Sequence, residues 1–252
     1  MRITFLGTAA GGPSKNRANS STVIEVGGKL YLIDAGMPVV NRLIDFGFDL
    51  EAIKATFITH AHSDHVFGLI DLIRCVNIEK IFPTAEIDYY IPENELEDSL
   101  DEYFTSVISP IRKEVNRFHL INEGVIYSDE NIRVTAIPNA HMKILNRPSY
   151  SFIVEAEGKR VVFSGDLSSH LSESDIPRVV YEEAVDLFVL ELAHFSLDEL
   201  KPHLEGMKVK NLVFNHISHV EEKLPEVKKF ASEYSDIKID CSFDGYSVSF
   251  ED

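Results

Sequence analysis

The chain has 252 residues, enough for one large domain with a sizeable core. Its 44% hydrophobic and 26% charged residues, with no low-complexity tract, exclude a disordered or fibrous chain. The formal net charge of -17 disfavours polyanions such as nucleic acid unless basic residues are gathered locally.

Met1 opens directly on the strand-like run RITFL. The N-terminus lacks a basic region followed by a long apolar run, so no signal peptide is expected, and no apolar stretch is long enough to span a bilayer. Further β-like runs follow in STVIEV, KLYLID and KATFIT, with turn signals such as Gly27-Gly28 between them. Helical spacing is expected over Pro38–Phe46 and Val66–Cys75. Residues 84–114 hold the acidic stretch IDYYIPENELEDSLDEYFTS, read as an inserted helical segment that serves as a lid, a homodimer contact or a solvated face. Strand runs resume in IRVTAIP, YSFIVEA, RVVFSG, VDLFVLE and NLVFNH, with helices expected over Ser172–Ala184, Leu197–Leu204 and Val220–Tyr234. A β-rich first half and an alternating second half predict one domain over residues 1–252, with two sheets packed face to face and helices outside. Cys75 and Cys241 are far apart and in no C-x-x-C spacing, which argues against disulfides or thiolate ligands and fits a reducing, cytoplasmic setting.

The densest chemistry lies at Thr59-His60-Ala61-His62-Ser63-Asp64-His65, directly after the apolar run KATFI. Imidazole and carboxylate suit zinc, and also iron or manganese. An extended backbone puts His60 and His62 on one side, where they can share an ion. A turn into helix at Asp64-His65 would redirect those two side chains toward a second position. Four ligands are too few for two catalytic ions, so the rest must come from other strand ends. His141 follows IRVTAIPNA, Asp166 follows RVVFSG and His216 follows NLVFN. Taken singly, each of the three reads equally well as a turn residue or a satisfied polar group; the joint pattern is the signal.

The opening FLGTAAGGPSKNRANSS, followed by LIDAG and FITHAHSDHVFGL, resembles the metallo-β-lactamase superfamily and, within it, the ribonuclease Z family, over nearly the whole chain. The resemblance implies an α/β fold, the four-layer αββα sandwich of the metallo-β-lactamase type, with two divalent metal ions, zinc first and manganese or iron as substitutes. It assigns His60, His62 and His141 to one ion, Asp64, His65 and His216 to the other, and Asp166 to both. Asp34 in LIDAG matches a family position that buttresses the metal loop; its other reading is an N-cap for the helix after Pro38. Two such ions lower the pKa of a bound water toward about 7 and stabilise charge on substrate oxygens. Asp64 would hold that water as base or orienting acceptor, and His194 in ELAHFSLDEL, with Glu191 nearby, would protonate the leaving group. A hydrogen-bonded structural histidine is the other reading of His194. The H-x-S pattern at His216 fits the family better than His219 does, and His119, His170 and His203 lack strand-end context and are read as surface residues.

Ribonuclease Z carries a long arm for transfer RNA between its third histidine and its bridging aspartate. Here Asp166 follows His141 by 25 positions, filled by one hairpin and the loop MKILNRPS, so no arm is expected. Together with the charge, this disfavours transfer RNA as a partner. Lys15, Arg17, Lys143 and Arg147 form either a small basic rim suited to a single phosphate or solvated surface charge. His62 stands where di-iron oxygen reductases carry glutamate, and no site for the glutathione adduct of a persulfide dioxygenase or glyoxalase-like thioesterase is evident. An inactive scaffold would have lost ligands that are all present here. The expected function is a dinuclear metal-dependent hydrolase, a phosphodiesterase acting through a metal-bound hydroxide on a small-molecule or short substrate. The alternatives are ribonuclease Z processing of transfer RNA 3' ends, and lactonase or thioesterase chemistry.

Overall fold

The computed structural model describes residues 1–12, 14–78, 81–172 and 174–250. The chain forms two compact units, one of Met1–Gly7, Gly11–Asn122 and Asp244–Asp252, the other of Thr8–Ala10 and Glu123–Phe243. Each carries one seven-stranded sheet.

In the first unit β1 (Arg2–Gly7), β2 (Ser21–Val26) and β3 (Lys29–Ile33) run antiparallel. From β3 the sheet continues in parallel through β4 (Ile53–Phe57), β5 (Ile87–Ile91) and β6 (Asn116–Leu120). The last strand, β14 (Ser247–Ser249), lies along β1 at the opposite edge. Gly27 and Gly28 join β2 to β3 with φ of 59° and 71°, the left-handed pair that a two-residue hairpin turn requires. Parallel neighbours need longer crossovers, and these hold α1 (Val39–Asp45), α2 (Ser63–Val66), α3 (Leu69–Asn77) and α4 (Asn94–Val107). In α3, Leu69, Leu72, Ile73 and Val76 recur at helical spacing and are buried. They share a core with Leu32, Ile53, Ile87 and Tyr89 of the sheet, and each such side chain contributes about 1.5–3 kcal/mol on burial. Helix α4 adds Leu100 and Phe104 to that core and leaves Glu95, Asp98 and Glu102 exposed.

In the second unit β7 (Gly124–Ser128), β8 (Arg133–Pro138), β9 (Tyr150–Ala156) and β10 (Lys159–Phe163) form an antiparallel meander. Strands β11 (Val185–Leu192), β12 (Val209–Ile217) and β13 (Lys238–Cys241) follow in parallel, with α5 (Val179–Glu182), α6 (Leu197–Leu204) and α7 (Val220–Ser232) in the connections. β11 and β12 are buried over nearly their whole length, which is why VDLFVLEL and LVFNHI read as continuous apolar runs rather than alternating ones. Phe188, Leu190, Leu212 and Phe214 pack with Leu200 and Leu204 of α6 and with Val227 and Phe230 of α7. Helix α6 begins with a capping box, in which Ser196 Oγ accepts the Glu199 N–H while the Glu199 carboxylate accepts the Ser196 N–H.

The helices expected over Pro38–Phe46, Leu197–Leu204 and Val220–Tyr234 are α1, α6 and α7. The one expected over Val66–Cys75 is interrupted between α2 and α3, at Gly68, where a Cβ would lie 2.6 Å from Ala35 O. Of Ser172–Ala184, where Glu173 lies outside the described residues, only α5 is helical, because Pro177 holds its predecessor out of the helical region. The acidic stretch within 84–114 divides into β5 and α4. No helix of the described residues is long and apolar enough to cross a membrane.

Candidate metal centre

In the first unit the chemistry begins three residues past β4. His60 is fully buried, His62 precedes α2, and Asp64 and His65 lie within it. His60 Nε2 and His62 Nδ1 are 3.0 Å apart, near the spacing of two nitrogens each about 2.0–2.1 Å from one zinc. Asp64 Oδ2 and His65 Nε2 make a second pair at 3.7 Å. Behind both stands Asp34, whose carboxylate accepts from His65 Nδ1 (2.7 Å), Thr59 N (2.8 Å) and Thr59 Oγ1 (3.0 Å). With its proton committed to Asp34, the Thr59 hydroxyl accepts His60 Nδ1–H at 3.0 Å. These partners assign the tautomers: His60 and His65 both carry their proton on Nδ1, which leaves Nε2 unprotonated.

Asp34 therefore buttresses the loop, as the LIDAG resemblance implies. The N-cap of α1 is Pro38 and no side chain caps that helix, so Asp34 does not act as its cap. Asp34 itself sits at φ 59°, a left-handed conformation that Asp tolerates better than most side chains. Asp64 is held from the opening loop, where Gly11 N–H donates to its Oδ2 at 2.8 Å and Asn19 Nδ2 donates to Gly11 O at 2.7 Å. A Cβ on Gly36 would lie 2.4 Å from Asp64 O, which accounts for the glycine of LIDAG.

In the second unit Asp166, buried beyond β10, turns Oδ2 toward His216 Nε2 at 3.2 Å and His141 Nε2 at 3.8 Å. His141 Nδ1–H donates to Leu167 O at 3.0 Å, which again leaves Nε2 unprotonated. Burial lowers the pKa of His141 against the opposing pull of Asp166, which favours the neutral ring that ligation needs. Asn139 sets the loop before it, accepting His141 N–H on Oδ1 and donating from Nδ2 to Ser164 O. His216 is the extra residue of a β-bulge, since Glu191 pairs with Asn215 and Leu192 with Ile217. Its φ of 49° and the bulge redirect the imidazole out of the alternation of the strand.

His194 follows β11. Its ring lies edge-on to His141 with centroids 4.8 Å apart and parallel to His216 at 6.2 Å. Its Nδ1 is 2.9 Å from Glu191 Oε1. Glu191, only 2% exposed, also accepts the N–H groups of Leu167, Ala193 and His194. His119 lies on β6 against Asp88, the His170 side chain is 95% exposed, His203 is in α6, and His219 starts α7 at φ 50°. None of these four belongs to a group of possible metal ligands among the described residues. The sequence alone gives little sign of the parts played by Thr59, Asn139 and Gly11. Thr59 directly precedes His60, which is the one local hint of its role; the partners of Gly11 and Asn139 are fixed by tertiary hydrogen bonds that leave no spacing signature. Imidazole and carboxylate donors with proton positions set by fixed partners fit divalent ions such as zinc, manganese or iron.

A family model described as "Anti-Pycsar protein Apyc1" matches residues 1–231. Among curated relatives, ribonuclease Z of Brevibacillus brevis is 31% identical over 168 residues, which cover 65% of this chain and 50% of that protein. The chain spans about half the length of the curated relatives it matches. Among solved structures, the metallo-β-lactamase fold protein YhfI from Bacillus subtilis aligns with a TM-score of 0.77 at 18% identity, covering 98% of each chain. A diphosphatase from the PhnP family aligns with a TM-score of 0.72 at 22% identity, covering 99% of this chain and 98% of that one. The fold expected from the sequence, that of the metallo-β-lactamase type, is borne out, as is the resemblance to ribonuclease Z.

Proposed function

The chain belongs to the family of the Anti-Pycsar protein Apyc1, and we propose that it is a metal-dependent hydrolase cleaving a phosphodiester in a small or short substrate. We assign one ion to His60, His62 and His141, the other to Asp64, His65 and His216, with Asp166 shared. Two divalent ions, zinc or in its place manganese or iron, supply Lewis-acid polarisation and acidify water when bound. The observation that carries the reading is Asp166, a buried carboxylate with one oxygen facing two imidazole Nε2 atoms. Asp64 holds the attacking water as an acceptor, its own carboxylate steadied by Gly11 N–H. His194 donates a proton to the leaving oxygen from Nε2, because Glu191 occupies Nδ1.

The names of the relatives point the same way, since a ribonuclease and a diphosphatase both break bonds to phosphorus. A small substrate is favoured by the stretch between His141 and Asp166, which consists of the 3-10 turn Lys143–Leu145 and the β9–β10 hairpin, and by the charge of -17. Ribonuclease Z activity is the second reading, supported by the curated relatives. We place the protein in the cytoplasm on its two widely spaced cysteines.

The test is hydrolysis of bis(p-nitrophenyl) phosphate by protein reloaded with zinc or manganese, beside Asp64→Ala and His194→Ala variants and a precursor transfer RNA. Metal-dependent turnover that falls by about 10²-fold or more in Asp64→Ala, with the RNA uncut, is the expected result. Cleavage of the RNA would establish the second reading. Turnover of neither, with two ions bound per chain, would overturn the phosphodiesterase and leave carboxylic esters, lactones and thioesters.

A further inference from the structure

At the end of β11 the backbone turns through Leu192, Ala193 and His194, and both sides of that turn are held. Its N–H groups go to the Glu191 carboxylate, at 2.6 Å from Ala193 and 3.1 Å from His194. Its carbonyls are taken from the β12–α7 junction. Lys223 Nζ donates to Leu192 O and, at 3.0 Å, to Ser218 Oγ, and Ser218 Oγ donates to Ala193 O at 3.3 Å. One ammonium thus ties the loop that bears His194 to the junction that follows His216.

Lys223 is a costly residue in this place. It lies near the start of α7, where the helix dipole favours anions and where Glu221 and Glu222 already stand. A lysine also loses more rotamer freedom on burial than most side chains. Burial lowers its pKa, and Glu191 is the first of the charges that oppose the shift. Its hydrogen bonds run to Leu192 O in that turn and to Ser218 Oγ, and the charges of Glu191 and of Glu226 in its own helix oppose the shift.

We infer that Lys223 is a positioning residue for the proposed reaction: with Ser218 it clamps the Glu191–His194 turn, so that His194 keeps Nδ1–H on Glu191 and presents Nε2 to the leaving group. This rests on the role of His194 given above. Glu191, buried among backbone N–H groups, has in Lys223 a positive charge on the far side of the turn. Removing that charge frees Leu192 O, takes a donor from the Ser218 hydroxyl that holds Ala193 O, and leaves the carboxylate without its opposing charge.

The experiment uses zinc-loaded protein and two diesters that differ in their leaving group, bis(p-nitrophenyl) phosphate and diphenyl phosphate. Lys223→Met is expected to lower kcat for diphenyl phosphate by about tenfold or more with little change in KM. For the p-nitrophenyl diester, whose leaving group departs without a proton, the loss should stay below about threefold. Lys223→Arg should restore most of the difference, and Ser218→Ala should show a smaller effect of the same kind. A merely structural lysine would depress both substrates equally, and that result would overturn the inference. A second readout needs no turnover. In protein with ¹⁵N-labelled histidine, the downfield His194 Nδ1–H resonance should be present in the wild type and in Lys223→Arg and lost by exchange in Lys223→Met. Its persistence in Lys223→Met would also overturn the clamp. If neither diester is cleaved and the resonance still responds to Lys223→Met, the proposed function fails and the clamp stands. Should Lys223→Met not fold, Lys223→Gln and Ser218→Ala carry the same two readouts.

Discussion

A single buried carboxylate, Asp34, sets the proton positions of two imidazoles, directly at His65 Nδ1 and through the Thr59 hydroxyl at His60 Nδ1. Asp34→Asn isolates that role, because Asn also tolerates φ near 59° and its amide oxygen can still accept Thr59 N–H. The amide nitrogen would then donate to His65 Nδ1, forcing the proton onto Nε2 and removing the lone pair that a metal needs. The variant should fold with a loss of no more than about 1–3 kcal/mol, yet bind zinc about 10–100-fold more weakly. A melting curve and a competition titration against a chromophoric chelator measure the two; unchanged zinc affinity would refute the assignment. At this scale the ligand residues were legible because six positions of one loop hold three imidazoles and a carboxylate, whereas Thr59 is one hydroxyl among many until Asp34 is placed behind it.

Strands β5 and β6 show what escapes a reading by periodicity. Ile87, Tyr89 and Ile91 are buried while Asp88 and Tyr90 are half-buried, the period of two that a strand requires, but the segment lies within an acidic stretch that dominated its appearance. Asp88 and Arg117 are in register across the two strands. Arg117 Nε and Nη2 donate to the two Asp88 oxygens at 3.0 and 3.1 Å, and His119 Nε2 lies 2.7 Å from Oδ1. Burial alone would raise the Asp88 pKa, yet the bonds from Arg117 and His119 outweigh it and hold the carboxyl below its ordinary value. A depressed folded value means stabilisation that is complete above the unfolded pKa of about 3.9 and is lost as pH falls through the folded one. Urea unfolding between pH 6 and 3 should therefore show declining stability. Arg117→Met should lower stability at pH 6 by less than about 1 kcal/mol and flatten the decline. An identical pH slope in the variant would show that the pair contributes nothing.

Across the whole molecule the two units repeat one plan, antiparallel strands followed by parallel ones, with the chemistry carried at or just beyond the C-terminal ends of strands. That is where α/β sheets gather ligands, because the chain must leave each parallel strand there through a loop that packing leaves free to vary. If the native ligand sets bind zinc, free zinc at 100 times its Kd should add about 2.7 kcal/mol. For a chain of this size, that is a rise in Tm of about 5–10 °C. Chelation with EDTA should reverse the rise and His216→Ala should diminish it; an unchanged Tm with zinc bound would place the ions outside the folded ligand set.

What the sequence determined by itself was local: apolar runs long enough to be strands, the helical spacing behind α1, α6 and α7, and the imidazoles and carboxylates at or just beyond the ends of those runs. Such features survive in one dimension because they depend on neighbours three or four residues away. Only the tertiary structure decided that Asp34 buttresses a histidine loop rather than caps a helix, that a bulge turns His216 toward Asp166 while His219 starts α7, and that Lys223 reaches back to the turn before His194. Each of these is a hydrogen bond or backbone irregularity between segments distant in sequence, and its geometry exists only once the packed cores have fixed where the two backbones run.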